Sequence, residues 1–304
     1  MIIDAHSHWL PVKIVEQAHF FSPAWNNIEA QWEMMEEVGI DKTILTYPTS
    51  DAHLKWGNAK ELAQYYNNAV AQIMERYPDR FIGAAILPWG ETEEMIQEFK
   101  RATEVLGFKV LSLPSSYDGV YLDDPRFFPI YEIAQKQRIL IFVHPQIVNP
   151  IGCERVRDSL LTPVVEYVFD TTISIGKILM GEIFKRFPEI VFVFASFGGV
   201  IAHLASRFDE TYKMLRGINL VKDLGGNPTQ FLRNIYVDTG GDKTSTNFLA
   251  AVELFGASHI LWGSDWPAKK DPRSSIKTVE SLNLNQKEIK GILGENLNNL
   301  LKGV

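Results

Sequence analysis

Short apolar runs alternate with longer stretches in which apolar residues return every three or four positions, nearly from one end of the chain to the other. The runs predict strands over 2–8 (IIDAHSH), 42–48 (KTILTYP), 80–88 (RFIGAAILP), 108–114 (FKVLSLP), 139–145 (ILIFVHP), 190–196 (IVFVFAS), 235–241 (IYVDTGG) and 259–267 (HILWGSDWP). The longer period predicts helices over 26–38, 57–77, 91–106, 125–137, 164–187, 200–216, 244–255 and 286–302. Each predicted strand is therefore followed by a predicted helix. Several strands are apolar throughout, as strands covered on both faces of a parallel sheet are. Eight such units predict an α/β fold, a (β/α)8 TIM barrel formed by one domain over residues 1–304, with a doubly wound open sheet as the alternative. No Pro/Gly/Ser-rich linker or close internal repeat divides the chain. The connections over 9–25 and 146–163 are long enough to serve as lids, and Phe20, Phe21 and Trp25 in the first could close over a substrate.

Composition narrows the partners. At 304 residues and 46% hydrophobic content the chain can bury a substantial core. Its net charge of −7 and the lack of a basic stripe argue against a nucleic-acid or membrane-surface binder. The apolar runs are far shorter than the roughly 20 residues of a membrane-spanning helix, and no basic leader with a long apolar segment is seen, so neither a membrane anchor nor a signal peptide is expected. Cys153 is the only cysteine, which excludes an intrachain disulfide and a four-cysteine zinc site, and a reducing cytoplasm fits best.

A barrel also makes a geometric demand: functional side chains should gather where strands end in the βα loops. His6 and His8 end the first predicted strand, His144 the fifth and Asp265 the eighth. Asp4, His6 and His8 alternate with Ile3, Ala5 and Ser7, so the three polar groups share one face of their strand. Polar groups on an inner face need a partner, and three imidazoles with a carboxylate suit one divalent ion, zinc by preference, with iron, manganese or cobalt as alternatives. Taken singly, a His-x-His pair, a histidine before Pro145 or an aspartate in a turn each has an ordinary structural reading. Together at three strand ends they point to a metal site.

These segments resemble the amidohydrolase superfamily, in the branch that includes aminocarboxymuconate-semialdehyde decarboxylase. The resemblance rests on DAHSHWLP, RFIGAAILP, GFKVLSLP, IFVHP, GSDWP and ILGENLNNLL and covers essentially the whole chain. It implies a metal-dependent hydrolase type of TIM barrel with one metal held by His6, His8, His144 and Asp265, and with a metal-activated water as the reactive species. Binuclear relatives bridge two metals through a lysine or acidic residue ending strand four or five. Strand four here ends in Leu113, Pro114 and Ser115, and Lys109 lies near its start, which favours one metal.

One position departs from the family. Strand six usually ends in a histidine followed by glycines, whereas FASFGGV places Phe197 there, and phenylalanine carries no proton. His203, six residues on, should ride the following helix. Three functions remain open: a hydrolase in which Asp265 takes a proton from water, ranked first; a decarboxylase with another proton source; and a barrel that binds without turnover. The substrate is expected to be a small, carboxylated or cyclic molecule held by an aromatic wall of Trp9, Tyr47, Trp89 and Trp266. Arg126, Arg155 and Arg157, with His53 and Lys55, are further candidates for a substrate carboxylate, and Asn296 for fixing the C-terminal segment. The resemblance also implies a homodimer.

Overall fold

A computed structural model describes residues 1–18, 20–48 and 55–303. Eight parallel strands, β1 (Ile3–His8), β2 (Lys42–Thr46), β3 (Phe81–Ala85), β4 (Val110–Pro114), β5 (Leu140–His144), β6 (Phe192–Phe194), β7 (Ile235–Asp238) and β8 (Ile260–Leu261), pair in sequence order. Closure comes from backbone hydrogen bonds beyond the short β8. Ala5 N–H donates to the Trp262 carbonyl (2.9 Å), Asp265 N–H to His6 (2.7 Å) and His8 N–H to Trp266 (2.7 Å). The result is the nearly closed TIM barrel that the alternation of periods predicts.

The strands are shorter than the apolar runs, for local reasons. At the end of β3 the Ile86 N–H leaves the ladder for the Asn67 side-chain oxygen (2.9 Å). After β6, residues Ser196 to Gly199 all take positive φ, and after β7 Gly240 and Gly241 do the same, so each strand turns away early. The long βα segments are also more broken than predicted. Pattern 91–106 is an α-helix, Thr92–Lys100, ended by a π turn, Arg101–Val105, and pattern 286–302 is Gln286–Lys290, a π turn at Gly291–Glu295, and Asn296–Lys302. Pattern 164–187 divides into Tyr167–Met180 and Ile183–Arg186. A helix absent from the sequence reading, Pro272–Glu280, follows strand eight; Asp271 caps it by accepting from Ser274 N–H (3.1 Å), with Pro272 at its first turn. A two-stranded hairpin, Ser116–Tyr117 with Val120–Tyr121, follows β4.

Strand alternation divides the core. On β5, Ile141 and Val143 join the larger cluster beneath the helices, whereas Leu140 and Phe142 join a smaller one with Ile44, Ala84, Val110, Val193 and Leu261 from other strands. Both faces of this strand are thus covered, which accounts for its unbroken apolar sequence. The smaller cluster is the floor of the strand-end site, because the Phe142 ring meets His6 edge-on with centroids 5.1 Å apart. Asn296 ties the C-terminal segment to the entry of β8 by donating to the carbonyls of Ala257 and Ile260, both at 2.9 Å. No helix among the described residues is long and apolar enough to cross a membrane.

Candidate metal centre

His6 and His8 at the end of β1 and His144 at the end of β5 bring one ring nitrogen each to within 4.8 Å of one another, all three side chains being buried. The outward nitrogens are already engaged. His6 Nδ1 faces both oxygens of Asp238, at 3.2 and 3.1 Å; His8 Nδ1 lies 3.0 Å from the Thr46 carbonyl; His144 Nδ1 lies 2.9 Å from the Pro145 carbonyl. Protons on the Nδ1 atoms leave lone pairs on the Nε2 atoms, and the His6 and His8 Nε2 atoms stand 3.1 Å apart. Two lone pairs so close repel unless a proton or cation lies between them, so this donor set fits a divalent ion.

Asp265 stands beside two of these histidines. Its Oδ1 is 3.3 Å from His8 Nε2 and 3.8 Å from His6 Nε2. Its backbone is left-handed (φ 58°), a conformation that aspartate tolerates, and is held there by the bond from its N–H to the His6 carbonyl. Burial alone would raise the Asp265 pKa, but the neighbouring His8 and His6 outweigh it and lower it to about 2. Burial drives His8 down, and drives His144 well down with the help of His8 and His6, so both imidazoles are neutral, as ligands must be. Burial opposes charge on His6 too, but Asp238 outweighs it and moves this pKa up.

Two buried aspartates stand behind the cluster. Asp4 accepts from Ser264 N–H (2.8 Å), Ser264 Oγ (2.5 Å) and His6 N–H (3.0 Å), so it braces strands one and eight below the site, and burial lifts its pKa to about 6. Asp238 was missed in the sequence reading. Its signal was present nonetheless: like the other functional residues, it ends an inner strand at the same rim, in IYVDTGG.

An amidohydrolase family model matches residues 3–298. The chain belongs to this family. A 2-amino-3-carboxymuconate-6-semialdehyde decarboxylase from Dictyostelium discoideum is 31% identical over 248 residues, 79% of this chain and 66%, just under two thirds, of that relative. A gamma-resorcylate decarboxylase from Polaromonas sp. strain JS666 is 24% identical over 282 residues, 88% of this chain and 85% of the relative. A dihydroxybenzoic acid decarboxylase from Polaromonas sp. JS666, solved with bound manganese and the inhibitor 2-nitroresorcinol, superposes with a TM-score of 0.85 at 20% identity, covering 99% of this chain and 96% of that one. The chain is accordingly an enzyme of the amidohydrolase superfamily.

Around the centre of this amidohydrolase, the aromatic wall differs from the expected one. Tyr47 and Trp89 do line a cavity of about 230 Å³ at the ends of β2 to β5, where Trp89 stacks on Tyr117 with centroids 4.2 Å apart. Trp266 faces the other way. Following the left-handed turn at Asp265, its side chain lines an outer cleft with Met34, Val38 and Pro272. Trp9 is committed to structure, its ring N–H donating to the Asn26 carbonyl (3.0 Å), and the indole stacked on His8 is instead Trp25 (5.3 Å, 22°) from the first lid segment. Arg126 is held by Asp124 (2.9 Å) with its guanidinium 4.4 Å above the Trp89 ring, outside the cavity lining. Arg155 and Arg157 are exposed around the short helix Cys153–Val156, and Lys55 reaches the Gln17 carbonyl (2.6 Å). His53 lies outside the described residues.

The Phe197 ring packs edge-on against Phe248 (5.0 Å). His203 rides the helix Ile201–Gly217, as expected, and lines a second cavity of about 240 Å³ beside the ends of β6 and β7, where Ser196, Thr239 and Lys269 meet the apolar Val164, Phe197 and Val200.

Proposed function

We propose that this chain is a metal-dependent carboxy-lyase that removes carbon dioxide from a small aromatic or unsaturated acid. The observation that carries the reading is the cavity at the same strand ends as the histidines, bordered by Gln146, two residues after His144, and by Pro114, which pairs with His144 across β4 and β5. Apart from Asp118, its described lining is uncharged: the stacked Trp89 and Tyr117, Tyr47, Leu62, Ile86 and Leu87, with Ser112 and Gln146 as polar points. A carboxylate leaves most readily where its charge is poorly solvated, and a planar ring suits stacked aromatic walls. The decarboxylases among the relatives support the same assignment, which favours it over the hydrolytic alternative that ranks first on sequence alone.

His6, His8, His144 and Asp265 would hold the ion, with manganese, present in the Polaromonas structure, as reasonable a choice as zinc. The ion would act as a Lewis acid on a substrate oxygen. The chain itself orients and exchanges the proton. Trp89 and Tyr117 set the plane of the ring, while Ser112, bonded to the Tyr47 backbone, and Gln146, bonded to the backbone of Ser116 and Val148, hold the wall in place. Asp265 Oδ1 faces the histidines, leaving Oδ2 as the oxygen that would take a proton from a solvent water and pass it to the carbon from which carbon dioxide departs.

The test is carbon dioxide release from 2,6-dihydroxybenzoate, salicylate and 5-carboxyvanillate by protein loaded separately with manganese and zinc, beside a panel of lactones and amides. Release from at least one acid, lost in Asp265→Asn, is expected. Cleavage of a lactone or amide with no acid decarboxylated would return the hydrolase to first place.

A further inference from the structure

The connection over 146–163, which leaves β5 at the mouth of the barrel, is pinned to the helix Tyr167–Met180 behind it. Tyr167 Oη donates to the Ile147 carbonyl (3.1 Å), and Ile151 N–H to Asp170 Oδ2 (2.9 Å). Asp170 is fully occupied, since it also accepts from Ser115 Oγ (2.5 Å), Ser116 Oγ (3.0 Å) and Tyr121 Oη (3.3 Å). Glu166, one helical turn earlier, is not. The residues from Ile151 to Val165 are exposed or half-buried, whereas Glu166 is only 2% exposed, and among the described residues neither of its carboxylate oxygens has a hydrogen-bond donor. The carboxylate is aimed at the turn that opens the short helix Cys153–Val156: a Cβ on Gly152 would stand 3.7 Å from Glu166 Oε1. Cys153, half-buried, is the next residue of that turn and the only cysteine of the chain. Burial and the charges of Glu166 and Glu154 raise its thiol pKa and keep it protonated. A carboxylate withdrawn from water without a donor is costly unless a proton or a cation meets it.

We propose that Glu166 and Cys153 form a second cation site, distinct from the histidine cluster, for a thiophilic divalent ion such as zinc. A thiolate and a carboxylate are both zinc ligands, and water would complete the set. Binding exchanges the thiol proton, which passes to solvent, for a bond from sulfur to the ion. The negative charge that disfavours a bare thiolate beside Glu166 is thus the charge that favours the cation. Among the described residues only the histidine cluster gathers three ligand side chains, so this second site has two and is the weaker one. Its ion would fasten the connection after β5 to the helix behind it and take no part in the chemistry.

The test is titration of metal-free protein with cadmium, followed by the sulfur-to-cadmium charge-transfer absorption in the ultraviolet. The histidine cluster contains no sulfur and Cys153 is the only thiol, so the band reports this site alone. Wild type should develop the band, zinc should displace it, and Cys153→Ser should lack it. Glu166→Gln keeps the thiol, removes an unpaired buried charge and breaks no hydrogen bond, so it should fold, and the cadmium affinity read from the band should fall at least about tenfold. No band in wild type, which would leave Glu166 to a proton or a water, overturns the proposal. So does a band whose cadmium affinity changes less than about threefold in Glu166→Gln, as a lone thiol would give. Neither readout involves turnover, so both stand apart from the carboxy-lyase reading.

Discussion

The sharpest perturbation of the site is Asp238→Asn. The carboxylate is fully buried and accepts from His6 Nδ1, from Gly240 N–H (2.5 Å) and, more weakly, from Ser196 N–H (3.4 Å). Asparagine keeps the shape but turns one acceptor into a donor. If its oxygen stays with Gly240, the new NH2 lies where Oδ2 is now, 3.1 Å from His6 Nδ1. A donor there opposes the Nδ1 proton, and the neutral amide oxygen at the Oδ1 position, which can still accept it (3.2 Å), holds it more weakly than a carboxylate does, so the tautomer protonated on Nε2, with no lone pair directed at the centre, gains population. If the amide turns round, the Gly240 N–H is left facing a donor. Loss of such a carboxylate partner weakens metal binding about 10- to 100-fold, roughly 1.4–2.7 kcal/mol. Competition for manganese against a fluorescent chelator measures this directly, and nitrogen-15 NMR of the metal-free protein reads the His6 tautomer independently. A dissociation constant within about threefold of wild type, with the tautomer unchanged, would refute the reasoning.

Two further predictions concern the fold that carries the site. His144 is held well below its ordinary pKa when folded and titrates near 6.5 when unfolded, so its contribution is present above pH 6.5 and is lost as pH falls through that value. Metal-free wild type should therefore lose stability relative to His144→Asn between pH 7.5 and 5.5, by at most about 1.4 kcal/mol per pH unit, and parallel urea-denaturation curves for the two proteins would contradict this. Gly83→Ala should destabilise by about 1–3 kcal/mol in urea denaturation at constant m, because a Cβ there would stand 2.5 Å from Val70 Cγ1 and 2.7 Å from Phe108 Cε1 inside packed core; an unchanged midpoint would mean that this contact relaxes freely.

The sequence made the barrel legible because the strand signal is redundant. An apolar run such as LIFVH must be buried on both faces, and eight such runs separated by helical periods leave few architectures. The histidines were legible for a related reason, since a polar residue ending an inner strand needs a purpose. Direction was less readable. Trp266 is one residue past Asp265, and whether it faces the mouth or the outer cleft depends on one left-handed φ that periodicity does not encode. Trp25 was recognised as part of a lid candidate, but its stacking on His8 depends on how a 17-residue connection folds back, with the Leu10 N–H bonded to the Trp25 carbonyl (2.8 Å). The helix Pro272–Glu280 was readable from Asp271 and Pro272 and was passed over.

The replacement of the expected strand-six histidine bears on how protons move in the site. Ser196 and Phe197 sit on the sharp turn after β6, both with positive φ, and the Phe197 ring is spent on packing against Phe248. Neither residue exchanges a proton at neutral pH. A reaction that needed an imidazole at the end of β6 finds none in these two residues, and His203 lines the neighbouring cavity from the following helix, whereas a proton that passes through Asp265 needs neither. Phe197 fills the position itself and, with His203, borders the cavity that reaches to Thr239 and Lys269. Phe197→His tests this: if the reaction uses a second acid/base group at that turn, the variant should gain a titrating limb near pH 6.5 in the pH profile of carbon dioxide release, and an unchanged profile would leave Asp265 as the route of the proton.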